Sequence, residues 1–326
     1  MKDVGIVGMP YSGKSTLFTA LTRSGAAGGR SNQAVVDVPD PRLSVLAEQE
    51  SSKKVVPAKV RFVDVPGGLT AQGIAEFRQT DALCMVVRAF GPDADPAREL
   101  ASLEAELVLA DLASLESGLD KARKKAKGKA DSKVEVDVLE RAHAMLDAEE
   151  PLLAGDFDAD DRKILRGYGP LTLKPWIVVV NVEEGGELPA GMPEHAIAVS
   201  AALEAEVAGL EPADAAELLE GYGIAEPGLD RVIADCYRAL DLITFLTTGE
   251  DETRAWEVRR GAKAPEASGA IHSDLERGFI RAEVVAYDDL VAVAKWDNAK
   301  AKGVLRVEGK DYEVQEGDVL NIRFAV

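Results

Sequence analysis

Apolar and polar positions alternate along the chain in a way that predicts strands interleaved with helices. Five short apolar runs have the length and composition of buried strands: Asp3–Val7, Lys59–Val63, Ala82–Phe90, Trp176–Val180 and Ala196–Val199. A stretch with helical spacing, Ser15–Arg23, follows the first run, and loops rich in Gly and Pro separate the later ones. This alternation predicts an α/β domain with a mostly parallel sheet that is covered on both faces.

The middle of the chain follows a different period. Leucines recur at helical intervals along one stretch: Leu100, Leu103, Leu107, Leu112, Leu115 and Leu119. Apolar residues from Val138 to Leu146 form a second stretch in helical register, and residues 120–133 between the two carry seven basic and two acidic side chains. The pattern predicts an inserted antiparallel helical hairpin, which buries its Leu stripe between its own two helices and projects a basic tip.

After Ala239 the pattern changes to that of a small α+β unit. Thr253–Arg259 alternates, Ile280–Tyr287 and Val319–Val326 are strand-like, and Ser268–Arg277 is helical. The chain is therefore predicted to have three parts: an α/β domain at residues 1–95 and 171–240, a helical hairpin at 96–170, and a C-terminal α+β domain at 241–326.

Composition and charge narrow the functional classes. A net charge of −19 argues against bulk coating of nucleic acid, whereas residues 1–90 carry a net charge of +3, so an anionic ligand is expected there. Cys84 and Cys236 lie in apolar surroundings without CxxC spacing, which predicts neither disulfides nor a zinc site and favours a cytoplasmic location. No apolar run approaches the ~18 residues of a membrane-spanning helix, so no membrane partner is expected.

The clearest chemical motif lies directly after the first predicted strand. The segment Gly8–Ser15 fits G-x-x-x-x-G-K-[ST], a loop whose backbone N–H groups converge on phosphate oxygens at the start of a helix. Lys14 is expected to reach the β- and γ-phosphates, and the Ser15 hydroxyl to ligate Mg²⁺. The predicted phosphate-binding residues are Gly8, Tyr11, Ser12, Gly13, Lys14, Ser15, Thr16 and Gly67.

A second element lies at the end of the predicted strand Lys59–Val63, in the order of a nucleotide-switch fold. Asp64 and Gly67 form a D-x-x-G segment, in which Asp64 is expected beside Mg²⁺ through a water and the Gly67 N–H beside the γ-phosphate. Mg²⁺ is therefore the predicted cofactor.

The base is expected to meet the segment after the strand Trp176–Val180. Asn181, Val182 and Glu184 fit N-x-x-E, where GTPases carry N-K-x-D with an Asp that pairs with guanine N1–H and N2–H₂. The longer Glu184 side chain is expected to spoil that bidentate pairing. Ser200 and Ala201 follow the next strand, and backbone N–H groups there are expected to face the base.

Several segments together point to one family: GMPYSGKSTLF, VPDPRLSVLA, FVDVPG, TDALCMVVRAF, NVEE, SAALEAEVAGL, EPGLDRVI, and a C-terminal stretch from FLTTGEDETRAW to GKDYEVQEGDVLNIRF. They resemble the YchF/Obg-like ATPases, a branch of the Obg-related P-loop proteins, over nearly the whole chain. The resemblance implies a P-loop NTPase G domain, an inserted helical hairpin and a C-terminal ubiquitin-like (β-grasp) TGS domain. It also implies that ATP is accepted as well as or better than GTP, and that the protein associates with ribosomes.

Departures from the family pattern concern hydrolysis more than binding. Tyr11 and Ser12 replace the Asn and Val of the family loop, and that Asn helps to hold a monovalent cation in related proteins. The segment 26–37 is short and lacks the family's switch Thr, a second ligand for Mg²⁺. Gly68, rather than a Gln, follows Gly67. These differences predict slow hydrolysis that does not respond to potassium.

The leading hypothesis is a weak NTP hydrolase that acts as a nucleotide-dependent switch on the ribosome or a structured RNA. The basic hairpin tip and the TGS-like domain are the expected contacts, through Lys121, Arg123, Lys124, Lys125, Lys127 and Lys129 in the tip. Two alternatives stay open: a nucleotide-binding module with little or no catalysis, and a P-loop kinase of small molecules. The kinase hypothesis explains the phosphate loop but leaves the N-x-x-E element and the C-terminal domain unexplained.

Overall fold

The computed structural model describes most of the chain: residues 2–22, 32–65, 67–126, 131–224 and 227–325. Two compact units are present, the first formed by Met1–Val36 with Arg61–Cys236 and the second by Asp37–Val60 with Tyr237–Val326. None of the helices in the described ranges combines the length and apolar character that crossing a bilayer requires.

Strands occur in both units. The described strands are β1 (Asp3–Gly8), β2 (Asn32–Asp37), β3 (Val55–Val56), β4 (Lys59–Asp64), β5 (Ala82–Ala89), β6 (Trp176–Val182), β7 (Ile197–Val199), β8 (Leu242–Thr247), β9 (Thr253–Arg259), β10 (Phe279–Ala286), β11 (Arg306–Glu308) and β12 (Asp318–Phe324).

Helices separate most of these strands. The described helices are α1 (Lys14–Thr22), α2 (Pro41–Glu50), α3 (Ala71–Phe77), α4 (Pro96–Ala126), α5 (Asp131–Asp147), α6 (Ala159–Arg166), α7 (Ala201–Val207), α8 (Pro212–Gly221), α9 (Gly228–Ala239), α10 (Ala264–Ile271), α11 (Ser273–Arg277), α12 (Tyr287–Val293) and α13 (Trp296–Ala301), with a short 3₁₀ turn at Leu152–Ala154.

The sheet of the first unit has the order β2-β4-β1-β5-β6-β7. Strand β1 pairs in parallel with β4 and β5, and β6 pairs in parallel with β5 and β7. The central strands are buried along almost their whole length, which matches the continuous apolar runs of their sequences. The predicted α/β fold with a mostly parallel sheet is confirmed.

The helical hairpin differs from the prediction in how it buries its Leu stripe. Helix α4 has 31 residues and α5 has 17, so α4 extends about 46 Å and α5 only about 26 Å. Helix α5 covers only the C-terminal part of α4, so Leu115 and Leu119 pack in the core between the two helices. The earlier leucines of the stripe join the core of the sheet: Leu100, Leu103 and Leu107. The expectation that the whole stripe lies between the two helices was therefore wrong.

A buried carboxylate on α4 fixes the hairpin to the segment that precedes β6. Asp111 on α4 is fully buried and accepts hydrogen bonds from the Leu171 and Thr172 amides at 2.9 and 2.7 Å, and from the Thr172 hydroxyl at 2.8 Å. The Arg78 guanidinium lies 3.2 Å from it. Burial raises the pKa of Asp111 above its ordinary value, and these donors oppose that shift.

The sheet of the second unit has the order β11-β10-β12-β8-β9-β3. Residues 37–60, which the sequence pattern assigned to the α/β domain, pack in this unit, where β3 pairs in parallel with β9. The Ser52 hydroxyl donates to the Gly249 carbonyl at 2.7 Å, and Arg42 lies 2.7 Å from Glu316. By pairing with the first two residues of β9, β3 satisfies backbone groups that would otherwise form an open edge of β9, which favours this location of the segment.

Candidate functional site

The candidate site lies at one edge of the first unit's sheet. Since β1, β4, β5, β6 and β7 run in parallel, the loops that follow their carboxyl ends meet along the same edge. These loops, with the strand ends and helix starts beside them, carry the predicted phosphate, metal and base residues.

The phosphate loop is fitted tightly against its neighbours. A Cβ atom on Gly8 would lie 2.4 Å from the Val86 carbonyl oxygen, so only glycine fits there. Gly13 has a φ of 91°, and a Cβ at this position would lie 2.1 Å from Nδ2 of Asn181. Both glycines of the motif are therefore required by the packing of the loop.

Lys14 turns back over the phosphate loop. Its ammonium donates to the Met9 carbonyl at 2.7 Å, and the Ser12 amide donates to the same oxygen at 3.3 Å. Burial lowers the pKa of Lys14 from its ordinary value, while the carboxylates of Asp64 and Glu99 oppose that shift. A partly desolvated cation beside a loop of this shape favours an anionic ligand.

The D-x-x-G segment lies against the start of α1. The Ser15 hydroxyl donates to Oδ2 of Asp64 at 2.9 Å, and Asp64 is buried at the end of β4. Gly67 and Gly68 have φ values of 87° and 56°, and a Cβ on Gly68 would lie 3.8 Å from the Gly8 carbonyl oxygen. The two predicted metal ligands are thus in direct contact, next to the phosphate loop.

Asn181 joins the phosphate loop to the loop after β7. Its Nδ2 donates to the Ser12 carbonyl at 3.0 Å, and its Oδ1 accepts from the Ala201 amide, also at 3.0 Å. Ser200 caps α7, with its hydroxyl accepting from the Leu203 amide at 3.4 Å. The Asn181 amide therefore holds together two loops that the sequence placed in the same site.

The two glutamates that follow are each held by a different neighbour. Glu183 accepts from the Gly91 amide at 3.1 Å, and Glu184 accepts from the Tyr222 hydroxyl at 3.1 Å. The Glu184 side chain is exposed, whereas that of Val182, predicted as a base contact, is buried. The motif spacing gave no sign of Tyr222, which lies 38 residues further along the chain.

Glu99 is a second residue that the sequence motifs did not indicate. It lies in the first turn of α4, and its Oε1 accepts from the Arg88 amide at the end of β5 at 2.9 Å. Burial lowers the pKa of Lys14, and the charge of the Glu99 carboxylate, with that of Asp64, opposes this shift. The hairpin thus contributes a charged group at the edge of the phosphate site, a role that no local pattern indicates.

The remaining predicted phosphate contacts occupy different environments. Tyr11 is 90% exposed with a φ of 67°, in the left-handed region that a bulky side chain rarely adopts, and Thr16 is exposed on α1. The Ser12 side chain is fully buried, and its hydroxyl has no hydrogen-bond partner among the described residues. The Ser12 amide donates to the Met9 carbonyl and the Ser12 carbonyl accepts from Asn181, so the contact of Ser12 with phosphate stays a prediction.

Together, the fold and this edge of the sheet define a class of protein. A mostly parallel sheet with a Gly-rich loop between β1 and α1, a buried Asp at the end of β4 and an Asn near the end of β6 is the arrangement of a P-loop nucleotide-binding protein with a G domain.

Comparisons with known proteins agree and identify the family. Residues 3–106 match a family model described as "50S ribosome-binding GTPase", and residues 242–325 match YchF-GTPase_C, described as "Protein of unknown function (DUF933)". The Ribosome-binding ATPases YchF of Haemophilus ducreyi and Bacillus subtilis are 41% and 40% identical, with 99% of each chain covered. The chain belongs to the YchF/Obg-like family.

A solved structure extends the similarity to three dimensions. The YchF GTPase of Schizosaccharomyces pombe superposes with a TM-score of 0.88 at 30% sequence identity, covering 99% of this chain and 97% of that one. Obg-like ATPase 1 of Oryza sativa is 33% identical over 99% of this chain and 92% of its own length. The similarity therefore covers both units.

The unpartnered hydroxyl of Ser12 leads to a stability prediction. We expect Ser12→Ala to raise the free energy of unfolding by about 1 kcal/mol, because it removes a buried polar group that lacks a partner. Ser15→Ala in the same loop is the matched control and should lower that free energy, since its hydroxyl donates to Asp64. Urea denaturation measures both; a Ser12→Ala protein less stable than wild type would contradict the prediction.

Proposed function

We propose that this chain is a nucleotide-dependent switch protein that binds ATP, or GTP, with Mg²⁺, hydrolyses it slowly and acts on the ribosome. The observation that carries the proposal is the meeting of the phosphate loop, Asp64 and Asn181 at one edge of the sheet. The names of the relatives, Ribosome-binding ATPase YchF, support both the nucleotide and the partner. We assign the protein to the cytoplasm on the same grounds.

Phosphate binding is assigned to backbone groups of the loop, Gly8 to Thr16 with Gly67, and to the Lys14 ammonium. The donor set at the end of β4 fits Mg²⁺, because a hydroxyl and a carboxylate oxygen, those of Ser15 and Asp64, lie 2.9 Å apart. The metal supplies positive charge that neutralises the phosphate oxygens. Lys14 keeps the phosphates in register with the loop, and the buried Asp64 orients the Ser15 hydroxyl.

Base recognition is assigned to Asn181, Val182, Glu184, Ser200 and Ala201. Glu184 has a longer side chain than the Asp that pairs with guanine, and the buried Val182 occupies the place of the Lys in N-K-x-D. ATP is therefore expected to bind at least as well as GTP.

Hydrolysis is expected to be slow and insensitive to potassium. Gly68 follows Gly67 where a Gln would orient the attacking water, and the nearest glutamine, Gln72, donates instead to Glu76 on the same helix at 3.4 Å. Tyr11 cannot supply the amide oxygen that holds a cation. A binding module without catalysis is the second candidate, and phosphate release measured over hours at saturating nucleotide distinguishes the two.

The partner surface is assigned to the hairpin tip and the TGS-like C-terminal domain. Lys121, Arg123, Lys124 and Lys125 are exposed at the end of α4, while Lys127 and Lys129 lie outside the described residues. Two of these cations are engaged within the hairpin: Arg123 lies 2.8 Å from Glu140, and Lys125 3.4 Å from Glu135. This favours Lys121 and Lys124 as the contacts to RNA phosphate.

The first test concerns nucleotide binding. Lys14→Ala should weaken ATP binding at least tenfold, about 1.4 kcal/mol, because the cation facing the β- and γ-phosphates is lost. Isothermal titration calorimetry measures the affinity, with Lys163→Ala on α6 as a control that should bind as wild type does. Unchanged affinity in a folded Lys14→Ala protein would show that the nucleotide lies elsewhere.

The second test concerns the partner surface. Reversing two exposed charges, Lys121→Glu with Lys124→Glu, should abolish co-sedimentation with ribosomes at ~100 mM salt and leave ATP binding intact. Wild-type affinity should fall by ~0.7–0.9 log units per log unit of salt for each phosphate contact. The control is a protein with Lys163→Glu and Arg166→Glu, two exposed positions on α6. It has the same change in net charge and should bind ribosomes as wild type does. Wild-type sedimentation of the tip variant would rule out the tip as the contact.

A further inference from the structure

The Tyr222 hydroxyl contacts the residue that stands in the base-specifying position. It donates to Oε2 of Glu184 at 3.1 Å, and Tyr222 remains 41% exposed beside the candidate base site. A Cβ on Gly185 would lie 3.5 Å from Cδ1 of Tyr222, so the phenol ring also covers the turn that carries Glu184. Both contacts fall within the first unit.

The local sequence holds both partners in place. Tyr222 follows the last turn of α8, where the Ile224 amide donates to the Leu219 carbonyl at 2.9 Å and Gly223 takes a φ of 74°. Leu219 is buried and fixes the end of this helix. The backbone hydrogen bond at the end of α8 therefore fixes the position from which the Tyr222 ring reaches Glu184.

Glu184 lies in a tight turn. The Gly186 amide donates to the Glu183 carbonyl at 2.9 Å, and Gly185 takes the positive φ of 72° that the third position of a type II turn requires. The Glu183 side chain accepts from the Gly91 amide, which holds the turn on its other side. The turn and Tyr222 thus form a fixed pair.

We propose that Tyr222 is a positioning residue that sets the preference for adenine by engaging the Glu184 carboxylate. The inference rests on the proposed binding of nucleotide at this edge of the sheet. Guanine offers two adjacent donors, N1–H and N2–H₂, which pair with both oxygens of a carboxylate that faces the base edge. In this chain the phenol takes one lone pair of Oε2 and orients the Glu184 carboxylate toward Tyr222. Adenine has an acceptor at N1 and needs no such pair, so its binding does not require that the phenol bond be broken.

The charge state of the pair agrees with this role. The hydrogen bond to Glu184 raises the pKa of Tyr222, so the phenol keeps its proton throughout the neutral range and remains a donor. The phenol can therefore donate to the Glu184 carboxylate in the pH range where nucleotide binding is measured.

The test compares ATP and GTP affinities of wild type and Tyr222→Phe by calorimetry. The variant keeps the ring over Gly185 and loses only the donor, so the ratio of GTP to ATP affinity should rise about threefold or more, through tighter GTP binding. Tyr168→Phe is the matched control, because its hydroxyl also donates to a glutamate, Glu135, at 2.8 Å in the hairpin. That control should leave the ratio unchanged.

The same substitution made in a Glu184→Ala protein tests whether the effect of Tyr222 depends on the Glu184 carboxylate. In a Glu184→Ala protein, adding Tyr222→Phe should have no effect on the ratio, because the carboxylate is absent. An unchanged ratio in the single Tyr222→Phe variant, or an equal shift in the Glu184→Ala background, would overturn the inference. Absence of nucleotide binding in wild type would instead reject the proposed function, so the two failures are distinguishable.

Discussion

The bridge made by the Asn181 side chain is the interaction on which the rest of the candidate site depends. One amide group satisfies the Ser12 carbonyl of the phosphate loop and the Ala201 amide of the loop after β7. Its Nδ2 lies so close to Gly13 that no side chain fits there, so the Gly of the motif and the Asn of the N-x-x-E element require one another. The candidate phosphate and base sites are thus joined in one hydrogen-bonded structure.

The same edge of the sheet is connected to the hairpin through its longer helix. Because α4 exceeds α5 in length, its first half packs on the sheet while its second half carries the basic tip away from it. Glu99 in the first turn of α4 influences Lys14, and Asp111 anchors the middle of the helix to residues 171 and 172. A single helix therefore runs from Glu99, whose charge acts on Lys14, to the proposed partner surface, and the proposed nucleotide-dependent output would use this helix.

Sequence patterns predicted the parts of the molecule that depend on local constraints. The phosphate loop Gly8–Ser15 and strands β1, β4, β5, β6 and β7 follow from glycines at fixed spacing and from apolar runs, and Asp64 and Asn181 follow from their places at strand ends. Strands β2, β3 and β8 were not predicted. The location of residues 37–60 was not predictable from sequence. An edge strand such as β3 can pair with any sheet edge that is open, and the sequence pattern does not indicate which edge that is. Tyr222 was missed for a related reason: its hydrogen bond joins residues 38 apart, and nothing local to either indicates the other.

The most direct measurement of the central claim is the affinity of an Asn181→Ala protein for tripolyphosphate, a ligand that has phosphates but no base. If the Asn181 bridge shapes the phosphate loop, losing it leaves the Ser12 carbonyl without its partner, and tripolyphosphate binding should weaken on the order of tenfold at a temperature where the variant remains folded. Affinity for tripolyphosphate equal to that of wild type, accompanied by weaker ATP binding, would contradict the account and restrict Asn181 to recognition of the base.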